Sequence, residues 1–425
     1  MTATNARTTM GWWSTTFGCA DDCNVSNTCA SDVLYRSVVD NLVSGGYVQA
    51  GYTWLYIEDC WAQRSRDTFG RLVPDPHLFP RTLTHRSFHS LPTVNIIISI
   101  TRRDSRSHRV WSRIAFSFPS MISTGLHFGF PRWPSPTPRA LFAGLPGSLG
   151  HYDLDILTLA GWSVDRILVT TCSVAPTSNT DTSLSLYALL SAFTSLAWST
   201  AHLASHCVLP NATNRTLLHA ISRHCQHIQL DPRIQDDYTD VQRHVVTALH
   251  ELDTQQFFNT SYGPVVAGGF GLTAGQARVQ LSAWLLLQFP LLLAADVRSL
   301  PLEAHDLLVH PTFLHVYKAI SQSNASASTR NPTRWTGSQV PRGVDVWLWR
   351  LEDAVVLSAF RVNNHQSPYV PVSFDLSWPD LGFKSSAVCT VTNVWASAAP
   401  THQKHRVTVT VAPFDAALLV VQPED

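Results

Sequence analysis

The chain has 425 residues, 45% hydrophobic and 14% charged, so it can bury a large core, and disorder over most of its length is excluded. Thirty Lys and Arg balance thirty Asp and Glu, which excludes a net field for nucleic acid or an anionic membrane and suits a small neutral partner. Nineteen histidines form no HExxH pair or comparable cluster, so neither a metal nor a cofactor is expected.

In chain order, the first feature is "FGCADDCNVSNTC", where Cys19, Cys23 and Cys29 precede Cys60. This crowding reads as a disulfide cluster rather than the paired CxxC of a zinc site, and implies oxidising surroundings. Acceptor triplets for N-glycosylation begin at Asn24, Asn211, Asn214, Asn259 and Asn324, which favours the secretory route. The opening "MTATNARTTMGWW" carries no apolar leader core, so a secreted or lysosomal/vacuolar location is expected of a sequence without its leader.

"SDVLYRSVVDNLVSGGY" has helical periodicity, a Ser-Asp cap and a stop at Gly45 and Gly46. "YTWLYI" alternates as a strand and runs into Glu58, Asp59, Cys60 and Trp61. Acids there most often form a solvated turn or a helix cap, and at the C-terminal end of a barrel strand they also serve as binding groups. Between residues 83 and 124 the chain is rich in Arg, Ser and His without a clear period beyond "VNIIISI", and is read as an irregular insertion. "LDILTLAGWSVDRILVTT" gives helix then strand; "HIQL" and "DYTDVQRHVVTALHEL" give strand then helix. In "LSAWLLLQFPLLLAADV" the interruptions at Gln288 and Pro290 argue for a buried helix feeding a buried strand, not a membrane span.

This alternation predicts a parallel sheet, and at this length a (β/α)8 TIM barrel over residues 1–330. Beyond the polar "SNASASTRNPTRWTGSQ", the short strands "VWLWRL", "AVVLSAF", "HRVTVTV" and "AALLVVQ" predict an antiparallel β-sandwich over 331–425.

With these pieces in place, "MGWW", "GYTWLYIEDCW", "GRLVPDPHLFP", "GLPGSLGHYDLD", "DDYTD", "GGFGLTAGQARVQLSAW" and "FPLLLAADVR", in this order, resemble the α-galactosidase and α-N-acetylgalactosaminidase family of retaining glycosidases. The resemblance runs over most of the chain and implies a (β/α)8 barrel followed by a β-sandwich, with an α-galactoside or related glycan as partner. A homodimer is compatible with these features.

The resemblance also implies roles. Glu58 and Asp59 stand at the paired acids that grip galactose hydroxyls, with Trp61 beside them; carboxylates suit this because each accepts two hydroxyl hydrogen bonds. Glu58 is one methylene longer than the family's residue. Cys60 would pair with Cys19, and Cys23 with Cys29. The family's acid/base motif, an Arg four residues ahead of an Asp, matches Arg233 and Asp237 in "RIQDD"; read without the family, Asp237 is as well explained as a helix cap.

The nucleophile position departs from the family. Where its fourth strand ends Lys-hydrophobic-Asp-small-Cys, this chain has Leu168, Thr170 and Cys172 in "RILVTTC", and a threonine hydroxyl supplies neither a ready nucleophile nor negative charge. Cys172 reads as a buried thiol because its family partner position is Phe142. Thr15, Trp133 and the stretch around Leu203 and Ser205 replace further sugar contacts, and the "WNDPDM" loop is missing between Tyr262 and Gly268. Three readings follow: a hydrolase with its nucleophile elsewhere, at Asp104 or Asp296; a silent relative that still binds a galactoside; or a damaged family member in which residues 83–124 are translated non-coding sequence.

Overall fold

The structure is a computed structural model that describes residues 9–14, 29–57, 61–63, 65–79, 120–125, 151–161, 166–170, 194–199, 204–208, 225, 227–231, 234–253, 260–322, 332–362, 370–396 and 398–424. Eight short strands form one parallel sheet: β1 Met10–Trp13, β2 Trp54–Ile57, β3 Ser120–Gly125, β4 Arg166–Thr170, β5 Ala204–Val208, β6 His227–Asp231, β7 Thr260–Tyr262 and β8 Leu291–Leu293. Each strand pairs with its neighbour in sequence, and β1 also pairs with β8. The ring closes where Val265, just past β7, bridges Leu293. There the Val265 N–H donates to the Leu292 carbonyl at 2.7 Å, and the Ala294 N–H donates to Val265 at 2.9 Å. A closed ring leaves no strand edge exposed, and with eight strands its interior is just wide enough for side chains or one small ligand.

Period-two alternation sorts the strand residues. Trp13, Tyr56 and Leu292 meet inside the barrel, whereas Trp12, Leu55, Ile57, Leu291 and Leu293 join the layer between strands and helices. Helix α1, Asp32–Ser44, starts where Ser31 accepts from the Leu34 N–H and buries Leu34, Val38 and Leu42. Helix α2 spans Tyr152–Gly161, α3 Tyr238–Asp253 and α4 Ala274–Leu287. A capping box between Thr273 and Gln276 opens α4, which is buried on every side because the barrel lies on one flank and the second domain on the other.

That second domain is antiparallel. Strands β9 Thr333–Trp335, β10 Asp345–Arg350, β11 Val355–Arg361, β13 Val388–Asn393, β14 Thr401–Lys404 and β16 Asp415–Pro423 form one sheet, and β12 Val372–Ser377 with β15 Arg406–Val411 forms the other. Strand β15 alternates exposed and buried residues, while β11 is buried throughout.

Two boundaries differ from the sequence reading. The irregular stretch 83–124 is too wide at its end, because Ser120–Gly125 is strand β3, in register with Leu55 to Ile57 and with Arg166 to Thr170. "SMISTG" has little apolar alternation, so its place is set by its neighbours rather than its own propensity. Similarly, the polar connector contributes β9, an edge strand whose exposed Thr333 and Arg334 suit a sheet margin that must not recruit another strand.

Candidate active site

In a barrel of this kind the binding face is the rim formed by the C-terminal ends of the strands. Thr170 is the last residue of β4, in register with Gly125 of β3 and Val208 of β5. The position read as the nucleophile site is therefore a strand end on that rim. Trp61, past β2, is buried, and its carbonyl accepts from Asp75 at 2.8 Å. Ser14 follows β1 and receives the Tyr35 hydroxyl at 3.2 Å. The Trp12 indole N–H donates to the Ala295 carbonyl at 2.9 Å, tying β1 to the turn after β8. Glu58, Asp59, Arg233, Cys19, Cys23 and Cys60 lie outside the described residues, as do Asp104, Thr15, Trp133, Phe142, Cys172 and Leu203. Cys29 is buried.

Asp237 sits at the start of α3. It is exposed; its carboxylate accepts from the Thr239 N–H at 3.3 Å and its carbonyl from Val241 at 3.1 Å. That is the helix-cap arrangement. Its neighbour Asp236 instead joins two rim loops, accepting from the Gly271 N–H at 3.0 Å. A side chain at Gly269 would collide with the Asp236 carboxylate, so the glycines of "GGFG" permit this approach. Among the described residues, the acid that ends a barrel strand is Asp231, the last residue of β6, which the sequence reading passed over although it closes the run "HIQLD". Where the family's "WNDPDM" loop is missing, Pro264, Val265, Val266 and Ala267 are buried and close the ring.

Asp296, just past β8, is held by Arg298 through two hydrogen bonds of 2.8 and 2.7 Å. Burial alone would raise its pKa, but the Arg298 side chain, backbone N–H and charge outweigh this and hold it below the usual carboxylate range. A carboxylate gripped on both oxygens is poorly disposed to attack.

Below the rim, the interior is polar. Arg166 of β4 reaches Thr9 Oγ1 at 3.2 Å and the Tyr56 hydroxyl at 3.4 Å, with its guanidinium 4.2 Å from the Trp54 ring centroid. His206 of β5 and His227 of β6 meet edge to face at 4.5 Å, and His227 Nε2 lies 2.5 Å from Ser261 Oγ. Burial first, then the Arg166 charge, pushes the His227 pKa down to about 3; burial, His227 and Arg166 push His206 well below its usual value. Both rings are neutral at ordinary pH. The signal was present in "HIQLD", where His227, Gln229 and Asp231 alternate with Ile228 and Leu230, and in the lone Arg166 that opens "RILVTT". Behind this face Cys207 and Cys225 form a disulfide with Cα atoms 5.8 Å apart, consistent with an oxidising compartment. The sequence reading, which looked for the family's Cys-x-Trp around Leu203 and Ser205, did not pair these two.

A closed parallel barrel with its rim built from strand ends, followed by an antiparallel sandwich, has the architecture of a glycosidase. Residues 7–90 and 121–319 match the family described as alpha galactosidase A, and residues 342–421 match the alpha galactosidase C-terminal beta sandwich domain; the chain belongs to this family. Alpha-galactosidase A of Homo sapiens is 24% identical over 406 residues, covering 89% of this chain and 79% of its own length. Alpha-N-acetylgalactosaminidase of Mus musculus is 27% identical over 324 residues, covering 72% and 67%. Among solved structures, alpha-galactosidase I from Mortierella vinacea has a TM-score of 0.69 at 17% identity over 99% of this chain and 98% of its own. Alpha-galactosidase from Saccharomyces cerevisiae, solved with raffinose, has a TM-score of 0.66 at 15% identity over 98% of each chain. The family match breaks off across residues 91–120, inside the stretch that the sequence marked as irregular.

Proposed function

We propose that this chain takes a terminal α-galactoside or related glycan at the barrel rim and does not hydrolyse it by the double displacement of its family. The reading rests on Thr170. Retaining hydrolysis needs two carboxyl groups about 5 to 5.5 Å apart, one of which forms the glycosyl-enzyme bond. A threonine in that place cannot offset the positive charge that develops on the sugar. Asp237 remains the acid/base assigned by motif, and Glu58, Asp59, Trp61 and Arg233 the sugar contacts. Asp237 also fills a capping role, and Asp231 is the alternative acid at the rim. Asp296 does not restore the missing nucleophile while Arg298 holds it. The Cys207–Cys225 disulfide and the acceptor triplets support passage through the secretory route, to the cell exterior or a lysosomal or vacuolar compartment.

The test is release of the aryl group from an aryl α-D-galactoside by purified full-length protein, run beside calorimetric titration with raffinose. Saturable binding without release is the expected result; turnover that Asp237→Ala abolishes would refute the silent reading. A second reading is favoured by the break in the family match at residues 91–120: that segment is non-coding sequence read through. Sequencing the spliced message decides it, since a transcript lacking the segment establishes the second reading.

A further inference from the structure

We propose that the barrel interior holds a small inorganic anion of the halide class against Arg166. The starting observation is a charge without a counter-charge. Arg166 is only 5% exposed, and among the described residues no carboxylate stands within ion-pair distance of it. Its Nη1 is bonded to two neutral oxygens, Thr9 Oγ1 and the Tyr56 hydroxyl, and its Nε has no hydrogen-bond partner. The Trp54 ring beneath the guanidinium attracts the cation but does not neutralise it. Buried charges in folded proteins are paired, because desolvating an unpaired ion is costly.

The surroundings favour an anion over water or a cation. Trp13 and His206 face one another at 6.5 Å, and Tyr56 and His206 at 6.2 Å. Trp13 Nε1 has no partner, and neither ring nitrogen of His206 has one of good geometry, although the Gln229 side chain is placed to favour its proton. Two N–H donors in this interior, Arg166 Nε and Trp13 Nε1, are thus without an acceptor among the described residues. A water molecule could accept from two of these groups, but it would leave the guanidinium uncompensated. A second cation would add to the Arg166 charge, which after burial is what disfavours protonation of His206 and His227. An eight-stranded barrel filled by Trp13, Tyr56 and Leu292 has no room for a large anion, which selects chloride or bromide over a carboxylate or a phosphate ester. The site lies on the inner face of β2, β4 and β5, and does not depend on Thr170 or on glycan binding.

The experiment compares thermal unfolding of the full chain in sodium chloride and in sodium gluconate at equal ionic strength. Gluconate matches the screening but is too bulky to enter. At chloride about tenfold above its dissociation constant, Tm is expected to lie about 2 °C higher than in gluconate and to saturate. Arg166→Leu is expected to abolish that difference and to unfold in gluconate at or above the wild-type temperature, because leucine removes the uncompensated charge. Equal wild-type Tm in the two salts, or an unchanged chloride shift in Arg166→Leu, overturns the proposal. Should Arg166→Leu fail to fold, bromide-soaked crystals of the wild type decide instead. An anomalous peak within hydrogen-bond distance of Arg166 Nε supports the site, and its absence overturns it.

Discussion

The guanidinium of Arg278 on α4 forks onto the carboxylate of Asp415 at the start of β16, with Nε to Oδ1 at 2.9 Å and Nη2 to Oδ2 at 2.6 Å. This pair joins the barrel to the sandwich. Around it the Trp395 indole N–H donates to Ser282 at 3.2 Å, Trp395 stacks on Phe313 at 5.1 Å, and the Tyr238 hydroxyl donates to the Val362 carbonyl at 3.0 Å. The sandwich therefore braces the helices that carry the rim loops after β6 and β7.

Replacing Asp415 by Asn keeps the shape and removes the charge. The pair is partly solvated, with side-chain exposures of 26% and 15%, so the expected cost is about 2 kcal/mol, between a surface pair and a buried one. Urea unfolding monitored by tryptophan fluorescence checks this. A loss indistinguishable from zero would mean that the apolar contacts alone hold the domains together.

Acid should weaken the fold through the interior histidines. His227 has its pKa lowered to about 3 in the folded chain, against about 6.5 in an unfolded one. Its contribution is therefore fully present above the unfolded value and is lost as pH falls from there towards about 3, because the unfolded state takes up the proton first. The slope is about 1.4 kcal/mol per pH unit, or about 2 kcal/mol at about pH 5 from His227 alone. His206 adds a loss of the same sign. His227→Gln, which can still bond Ser261, should flatten the dependence of unfolding free energy on pH; an unchanged slope would place the proton uptake elsewhere.

The Cys207–Cys225 bridge closes a segment with a sequence separation of 18, so its removal releases that loop in the unfolded chain. Cys207→Ser with Cys225→Ser is expected to cost about 3 kcal/mol on the loop-entropy account. Reductant should lower the wild-type Tm and leave that of the double variant unchanged. A double variant as stable as the wild type would show that native packing of β5 against β6 suffices without the bond.

The elements legible in the sequence were those whose pattern and punctuation agreed. In α1, Ser31 opens the helix and Gly45 ends it; in α4 and β8, a capping box opens the helix and Gln288, in a left-handed conformation at φ 55°, turns the chain into the strand. Strand β3 was not legible, because "SMISTG" takes its register from β2 and β4, a tertiary constraint that no local window contains. Thr170 was placed by the resemblance of "RILVTTC" to the family's fourth strand, and the fold puts that residue at the end of β4. The Arg166, His206 and His227 group could not be assembled in advance, since the three residues meet only when β4, β5 and β6 lie side by side. Asp237 carries two roles that a motif alone does not separate, because the same carboxylate also accepts from the Thr239 N–H at the helix start.

Thr170→Asp asks how much of the family chemistry the scaffold still supports. The substitution returns a carboxylate to the end of β4, next to Gly125 and Val208 in register. A nucleophile alone can expel a leaving group of low pKa, because such a group departs without a proton from the enzyme, whereas an alkyl or sugar leaving group needs a positioned acid. Asp237 points into its own helix start, so acid assistance should be weak. Thr170→Asp is therefore expected to release dinitrophenolate from the activated aryl α-galactoside, at least about tenfold above the wild type, and to leave raffinose intact. Equal rates of release on both substrates would show that an acid is in place after all. No release from either, with the variant folded, would mean that the sugar is not held at the rim in an orientation that a nucleophile at the end of β4 can reach.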